Sequence, residues 1–215
     1  MHTYPKYHAP SGRHSVELVR NFPFAVAATS QPVAAPIATH IPVIFDPSSS
    51  PTETLVGQRM LGHMGRANPH WELFAEHPDI LLVFSTSQGY ISPATYQRDP
   101  AVPTTDYAAV HLTGRVTLLD DAAALDVVKS TVLALEKARD PQWDMSDSLI
   151  LFEKIIGRVV AFTIDINTEQ AMFKLSQDMP DDIRLRIRDD LLDRDCPHAD
   201  LTTLMNTLSE EKLRP

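Results

Sequence analysis

Residues 61–71, LGHMGRANPHW, join the end of an apolar segment to a segment that begins with proline. The preceding residues, 55–64, predict a β-strand that carries His63 at its end. Asn68 and Pro69 predict the start of a helix over residues 68–78, because proline is well tolerated in a first turn. We therefore expect His63 at a strand-to-helix junction, where the strand behind it holds the imidazole in place.

Strand-like segments surround this junction on both sides. They combine apolar and β-branched residues with proline or glycine boundaries, and they span residues 24–30, 36–47, 79–93, 106–119 and 157–166. In the segment 106–119, alternation places Tyr107 and His111 on one face. About six strands with a few peripheral helices predict a small barrel or half-barrel of the α+β class.

Helical patterns lie mostly outside these strands, at residues 14–22, 120–138, 181–192 and 199–208. The clearest helix begins at Asp120, a good N-cap, and carries an apolar stripe made of Leu125, Val128, Val132 and Leu135. The segment AMFKLSQD, residues 171–178, predicts a loop or a short strand. We interpret residues 1–215 as a single domain with a C-terminal helical segment at about 180–215.

Composition and charge limit the classes of function. The chain of 215 residues has one cysteine, Cys196, which excludes a disulfide framework or a multi-cysteine metal site. No segment has the apolar length of a membrane helix or the pattern of a signal peptide, so we expect a soluble, cytoplasmic protein without a membrane partner.

The net charge of −9 opposes bulk attraction to nucleic acid, so a nucleic-acid partner is not expected. The arginines at positions 184, 186 and 188 form a local basic patch, but acidic residues follow at once. We interpret this helix as a solvated face and not as a DNA-reading helix.

Four blocks carry a resemblance to a known family: LGHMGRANPHW (61–71), GYISPATY (89–96), VPTTDYAAVHLTG (102–114) and MFKLSQD (172–178). In this order they resemble the signature blocks of the PaiB-like FMN-binding negative transcriptional regulators. The resemblance spans roughly residues 4 to 190. It implies an FMN-binding split β-barrel with peripheral helices that forms a homodimer and holds a planar cofactor at or near the dimer interface.

One branch of that family is more similar, namely the haem-dependent piperazate synthases. The similar stretches are ALEKARDPQWDMSDSLILFEKI (134–155), the Arg-rich helix and LMNTL (204–208). The regulators usually carry Asn-Arg-Pro after the KLSQ block, where this chain has Asp178-Met179-Pro180. The resemblance implies an enzyme that closes N5-hydroxy-L-ornithine to L-piperazic acid with loss of water, using haem b. FMN is the alternative cofactor.

The residues alone leave two roles open for His63, a ligand for iron or a cap of the following turn, and the resemblance favours ligation. His111 and His40 are competing ligands. Arg66 and Lys174 are the expected anchors for haem propionates or for a flavin phosphate. The residue types do not show whether the anion is a propionate or a phosphate. The other expected cofactor contacts are Asn68, Ser176 and Gln177.

Catalytic candidates come from the other blocks. Tyr90, Tyr96, Tyr107 and His111 are expected to line the substrate pocket, and Asp106 is expected to receive the α-ammonium group. The family's usual Trp-Asn pair is replaced here by Thr105-Asp106. This replacement leaves two interpretations open, space beside the cofactor or an exposed loop turn. We expect surface or loop positions for the other histidines, which are His2, His8, His14, His70, His77 and His198.

Overall fold

A computed structural model describes residues 1–193 and 199–212 of the chain. Its strands are β1 (Phe24–Thr29), β2 (Ile37–Phe45), β3 (Arg59–Gly65), β4 (Asp79–Ser85), β5 (Gly89–Ile91), β6 (Thr104–Leu118) and β7 (Val159–Lys174). All pairings are antiparallel, in the order β4-β1-β2-β3-β7-β6-β5, and pairing of β4 with β6 closes six strands into a barrel. The predicted α+β barrel is confirmed, with β5 as a short seventh strand on β6.

The helices surround this barrel. They are α1 (Gly12–Asn21), α2 (Pro93–Tyr96), α3 (Asp121–Glu136), α4 (Leu149–Ile155), α5 (Asp181–Leu192) and α6 (Ala199–Lys212). Among the described residues, no helix has the length and apolar character needed to cross a bilayer. The positions of Cys196 and His198 lie outside the described residues.

The alternation predicted for β6 is confirmed. Ala108, Val110 and Leu112 are fully buried in the main core, inside the barrel. Tyr107 and His111 alternate with them and lie on the outer face. The core therefore fills the barrel, and side chains that face outward are available for a site.

Strand β7 is longer than the sequence pattern predicts. The segment Ala171–Lys174, predicted as a loop or a short strand, is the last part of β7 and pairs with β6. A register shift between Thr113 and Gly114 explains the error, because an extra residue on β7 moves the inward-facing positions from even to odd numbers. The apolar periodicity is broken at the bulge although the strand continues.

Helix α3 begins as predicted but packs through a different face. Asp120 accepts a hydrogen bond from the backbone N–H of Ala123, which confirms the N-cap. The helix buries Ala124, Val127 and Thr131, while the predicted core stripe is only half-buried and Leu135 is 44% exposed. Small side chains face the barrel because α3 lies directly on the outer surface of β3 and β7. The larger apolar side chains are left outside.

The helix predicted after His63 is present as a 3₁₀ helix, Pro69–Ala75. Its start is as expected, since Asn68 accepts a hydrogen bond from the backbone N–H of His70. The surface placement of His70 and His14 is wrong, because both side chains are fully buried. His70 hydrogen-bonds Thr39 and Thr29, which belong to strands distant in sequence, so its local sequence did not indicate burial.

Helices α5 and α6 pack against β5 and β6, where Leu191 and Leu201 lie against Gly89. The arginines of α5 are engaged within the chain, through contacts to Asp181, Asp182 and Asp189. Arg186 also donates to the carbonyl oxygens of Thr95 and Tyr96. These ion pairs support the interpretation of the helix as an ordinary surface helix.

Candidate functional site

His63 lies on the outer face of the barrel. Its neighbour Gly62 faces the core, since a Cβ atom on Gly62 would come within 2.6 Å of the Phe162 ring. His63 is paired with Ala161 of β7, and Leu61 beside it packs under α3. The imidazole therefore lies beside the small side chain of Ala161 and next to the part of the sheet on which α3 packs.

The imidazole of His63 makes no hydrogen bond with the residues that the structure describes. Its Nδ1 atom is buried without a hydrogen-bond partner among the described residues, and burial lowers the pKa of the ring. The ring as a whole is only half-buried, so Nε2 is the nitrogen that an external group can reach. A neutral imidazole is the form that binds a metal. An unpartnered buried nitrogen is costly, and such groups are often found at functional sites.

The surface beside His63 is apolar. Pro42 of β2 flanks the Val43–Gly62 pair on the same outer face, and Phe24 of β1 pairs with Pro42 and is 63% exposed. His40 stacks on Phe24 with the ring centroids 6.0 Å apart. The described residues contain no group of three or more His, Cys, Asp or Glu that could hold a metal ion. A metal here would need most of its ligands from another molecule, as porphyrin-bound iron has.

Arg66 lies three residues beyond His63 and is mainly held by the chain. Its Nε donates to the carbonyl oxygen of Gly157 at 2.8 Å, and Nη2 donates to Asp121 at 2.7 Å and to the carbonyl oxygen of Val159 at 3.1 Å. These bonds fasten β3 to the start of α3. The Nη1 group makes none of these bonds and can donate to an anion at this end of the barrel.

Asn68 is a structural residue in this conformation. Its Nδ2 donates to Thr39 Oγ1 at 3.1 Å, while its Oδ1 caps the 3₁₀ helix. Most of its hydrogen-bonding capacity is thus used within the chain, and little remains for a cofactor.

Six other predicted residues lie at the opposite end of β6 and β7, namely Tyr90, Asp106, Tyr107, Lys174, Ser176 and Gln177. Tyr107 is paired with Lys174, Tyr90 with Thr105, and Gly89 with Asp106. The ammonium group of Lys174 donates to Thr104 Oγ1 and, at 2.8 Å, to the carbonyl oxygen of Thr105. Lys174 therefore holds the start of β6.

Asp106 is fully buried inside this end of the barrel. Its Oδ2 accepts a hydrogen bond from Ser176 Oγ at 2.6 Å, while Oδ1 has no partner in the described chain. Burial raises the pKa of Asp106 to about 6, against the opposing effects of Ser176 and Lys174. The interpretation of Thr105-Asp106 as an exposed loop turn is wrong, because both residues lie in β6 and Asp106 is inaccessible.

Ser176 and Gln177 form the turn that follows β7. Ser176 has a positive φ of 53°, and the Gln177 side chain accepts from the backbone N–H of Leu175 at 2.8 Å and donates to the carbonyl oxygen of Phe173. Gln177 thus closes the turn on itself. In this conformation Lys174, Ser176 and Gln177 of the KLSQ block all make hydrogen bonds to other residues of the chain.

Tyr90 and His111 differ in accessibility. Tyr90 is 55% exposed on β5. His111 is half-buried on the outer face of β6, and its pKa is lowered by burial and by the N-terminal ammonium group. The Met1 ammonium donates to Gln170, the β7 partner of His111, at 2.6 Å. The N-terminal segment therefore lies beside His111.

The predicted site residues form two separate groups. His63 is paired with Ala161, whereas His111 is paired with Gln170, nine residues further along β7. At about 3.3 Å per residue this is roughly 30 Å of extended strand. Within one chain, the structure brings His63, Arg66 and Asn68 together at one end and Asp106, Tyr107 and Lys174 at the other.

Two further residues lie close enough to Asp106 to interact with it electrostatically, namely Tyr96, which was predicted to line the pocket, and Asp178, whose role sequence reasoning missed. The Tyr96 hydroxyl is buried without a partner in the described chain, and burial followed by the charge of Asp106 raises its pKa. Asp178 accepts hydrogen bonds from Lys6 at 2.8 Å and from Tyr7 at 3.3 Å. Asp178 belongs to the block MFKLSQD, but its partners come from the N-terminus and only the fold brings them together.

Known proteins share this architecture. The family model described as “Putative FMN-binding domain” matches residues 1–168. A conserved hypothetical protein from Mycobacterium tuberculosis superposes with a TM-score of 0.58 at 9% identity, covering 84% of this chain and 94% of that chain. The FAD and heme binding protein from Mycobacterium smegmatis superposes with a TM-score of 0.54 at 16% identity, covering 83% and 78%. At these identities the likeness establishes the fold.

One relative aligns over nearly its whole length. The protease synthase and sporulation protein PAI 2 of Bacillus subtilis (strain 168) is 29% identical over 213 residues, covering 98% of this chain and 97% of that protein. An uncharacterized protein of Saccharomyces cerevisiae is 32% identical over 111 residues, covering 49% of this chain and 62% of that protein. This chain therefore belongs to the PaiB-like family of FMN-binding split-barrel proteins.

Proposed function

We propose that this chain is a haem-dependent cyclase similar to piperazate synthase. It would convert N5-hydroxy-L-ornithine to L-piperazic acid by forming a bond between the two nitrogens and releasing water. In this reaction the N–O bond breaks, the neutral α-amine supplies the electron pair of the new N–N bond, and one of its two protons combines with the departing hydroxide to give water. No external oxidant or reductant is needed.

The observation that carries the proposal is the state of His63. Its ring is neutral near pH 7 because burial lowers its pKa, and it makes no hydrogen bond with the described chain. It stands on an outward apolar face beside Pro42 and the exposed Phe24. A flat apolar group with an iron at its centre fits this donor set, since one imidazole is enough to hold it.

The residues around the imidazole have distinct roles in this proposal. His63 binds the iron of haem b, and Arg66 holds a propionate through its free Nη1. Bound haem would supply a Lewis-acidic metal that withdraws electron density from the hydroxylated nitrogen. Tyr107, Tyr90 and His111 are candidates for protonating the departing hydroxyl and for orienting the amino acid.

The buried residues of the second group are positioning residues in this proposal. Asp106 has no access to solvent, so it acts through Ser176 and holds the turn that ends β7. Lys174, Ser176 and Gln177 likewise fix the strand ends that carry Tyr107. The direct contact between Asp106 and the substrate ammonium, expected from the sequence, would need this barrel end to open.

A site built from both groups requires two subunits. Because His63 and Tyr107 pair with opposite ends of β7, at Ala161 and Lys174, we propose that the His63 end of one protomer meets the Tyr107 end of the other in a two-fold homodimer. Exposed apolar side chains at both ends, such as Phe24 and Tyr90, support this arrangement.

The first experiment tests the ligand. Purified protein loaded with haemin should show a Soret band, and His63→Gly should lose haem or shift that band. Added imidazole should restore the spectrum of the variant by filling the cavity. His40→Ala and His111→Ala are matched controls that should keep the native band. If His63→Gly keeps the band and one of the controls loses it, the iron ligand is the histidine replaced in that control, His40 or His111.

The second experiment tests the shared site with N5-hydroxy-L-ornithine and detection of the dehydrated product. His63→Gly and Tyr107→Phe homodimers should both be inactive. Co-expressed subunits should regain about a quarter of the native activity, since half the dimers are mixed and each mixed dimer has one intact site. A mixed population without activity would place the site within one chain.

The alternative function is that of an FMN-binding regulator. The family model and the PAI 2 relative favour it. In that case the purified protein is yellow, binds FMN in preference to haemin, and binds DNA with an affinity that falls steeply with salt. The net charge of −9 and the ion-paired arginines of α5 do not favour phosphate binding.

A further inference from the structure

A concave groove lies between α3 and the end of β2, and His63 does not line it. Its volume is about 530 Å³, within the range of small-molecule sites. It is lined by Val43 and Ile44 of β2 and by Val19 of α1. The loop from Asp46 to Pro51 and α3 also line it.

Helix α3 presents an amphipathic stripe to this groove. Ser130, Leu133, Ala134 and Lys137 all line it, and their spacing of three and four residues places them on one helical face. The stripe therefore runs from a hydroxyl group through two apolar side chains to an ammonium group. Leu133 is 57% exposed, so residues 1–193 and 199–212 leave much of this apolar surface uncovered.

The charges at the groove favour an anion. The ammonium group of Lys137 makes no ion pair or hydrogen bond within the part of the chain that the structure describes. Arg20 donates to the carbonyl oxygen of Pro51 at 3.2 Å and lies 5.5 Å from the Phe45 ring, which leaves further N–H donors free. The single acidic lining residue, Asp46, is held by the backbone N–H and hydroxyl of Ser48 at 2.8 and 2.6 Å.

We propose that this groove binds a small amphipathic carboxylic acid, with an aliphatic or aromatic body and one carboxylate. The carboxylate pairs with Lys137 and accepts a hydrogen bond from Ser130, while the body covers Leu133, Ala134 and Ile44. Charge complementarity and the concave shape favour a small acid over a second protein chain. This proposal is independent of the function proposed for His63.

The test uses octanoate and its neutral analogue octanamide on the full-length protein. The Trp71→Phe variant leaves Trp143 as the reporter, since Trp143 follows the groove residue Gln142. Octanoate should change Trp143 fluorescence and bind at least tenfold more tightly than octanamide. Lys137→Gln should remove that difference by weakening octanoate binding about tenfold. Lys129→Gln, on the same helix but outside the groove, is the matched control and should bind octanoate normally.

A second variant tests the apolar part of the groove. Ala134→Phe should fill the groove and abolish binding of both probes, with circular dichroism as the check on folding. Octanoate binding that is unchanged in Lys137→Gln and in a folded Ala134→Phe variant would overturn the proposal. Displacement of octanoate by FMN or haemin, or dissociation of a native dimer by Ala134→Phe, would also overturn it, because the groove would then be the cofactor site or a subunit interface.

Discussion

At the scale of single residues, His63 and Asp106 share one unusual property, a buried polar atom without a partner in the described chain. Their environments differ. The imidazole of His63 is half-buried on the outer face, whereas the carboxyl group of Asp106 is enclosed in the barrel. Burial favours the neutral form of both groups, so it lowers the pKa of His63 and raises that of Asp106. Only His63 combines this neutral form with access for a ligand.

Asp106 should make stability depend on pH. Its folded pKa of about 6 lies above the ordinary value of 3.8. The raised pKa stabilises the folded protein below about pH 4, and this contribution is lost as the pH rises through 6. Asp106→Asn should remove up to about 3 kcal/mol of this change while keeping an oxygen for the Ser176 hydroxyl. Urea unfolding of both proteins from pH 4 to pH 7 measures the effect.

The native protein must be compared with Asp106→Asn, because folding lowers the pKa of some other carboxyl groups and these groups change the pH dependence of stability in the opposite direction. The pKa of Asp46, for instance, is lowered by its hydrogen bonds with Ser48. Such contributions cancel in the difference between native protein and variant. The exposed substitution Asp126→Asn serves as the control and should leave the pH dependence unchanged. Parallel stability curves for native protein and Asp106→Asn would contradict the raised pKa.

At the scale of elements, α3 covers the outer face next to His63. Its start depends on the Asp120 cap and on the contact of Arg66 with Asp121. The cap was predictable because it is a local signal, an acid directly before an apolar helical pattern. The buried face was not predictable, because it depends on the partner surface of β3 and β7, against which Ala124 and Val127 pack.

Asp120→Ala should lower the free energy of unfolding by about 1 kcal/mol, the usual effect of losing an N-cap. Because α3 packs beside His63, the variant should also weaken haem retention slightly. Urea denaturation measures the first effect. Asp126→Ala removes an exposed acid from the same helix, paired with Lys129 at 3.8 Å, and should change stability little. Equal effects of the two substitutions would argue against the cap.

At the scale of the whole molecule, several exposed apolar side chains lie on and just before α4. Ile150 is 81% exposed, and Leu151, Trp143 and Ile155 are between 40% and 55% exposed. Monomeric proteins seldom leave such patches open, so we expect this surface to be buried in a homodimer.

Ile150→Glu should convert the dimer to a monomer, as measured by sedimentation equilibrium. The monomer should stay folded, because Ile150 contributes almost nothing to the core at 81% exposure. It should also lose haem, because the proposed site draws on both subunits. Val33→Glu changes an apolar residue that is 98% exposed in a loop and should remain dimeric. A dimer that withstands Ile150→Glu would place the interface elsewhere.

The sequence by itself determined the barrel class, most strands, the α3 cap and the junction that carries His63, because these depend on local periodicity and on capping signals. Tertiary structure alone decided that β7 continues past its bulge and that His70 and Asp106 are buried. It also decided that the predicted site residues separate into two groups, beside opposite ends of β7. Whether a side chain is buried, and which residues it meets, depends on partners far away in sequence, such as Thr29 for His70 and Ser176 for Asp106. Local sequence patterns do not indicate those partners.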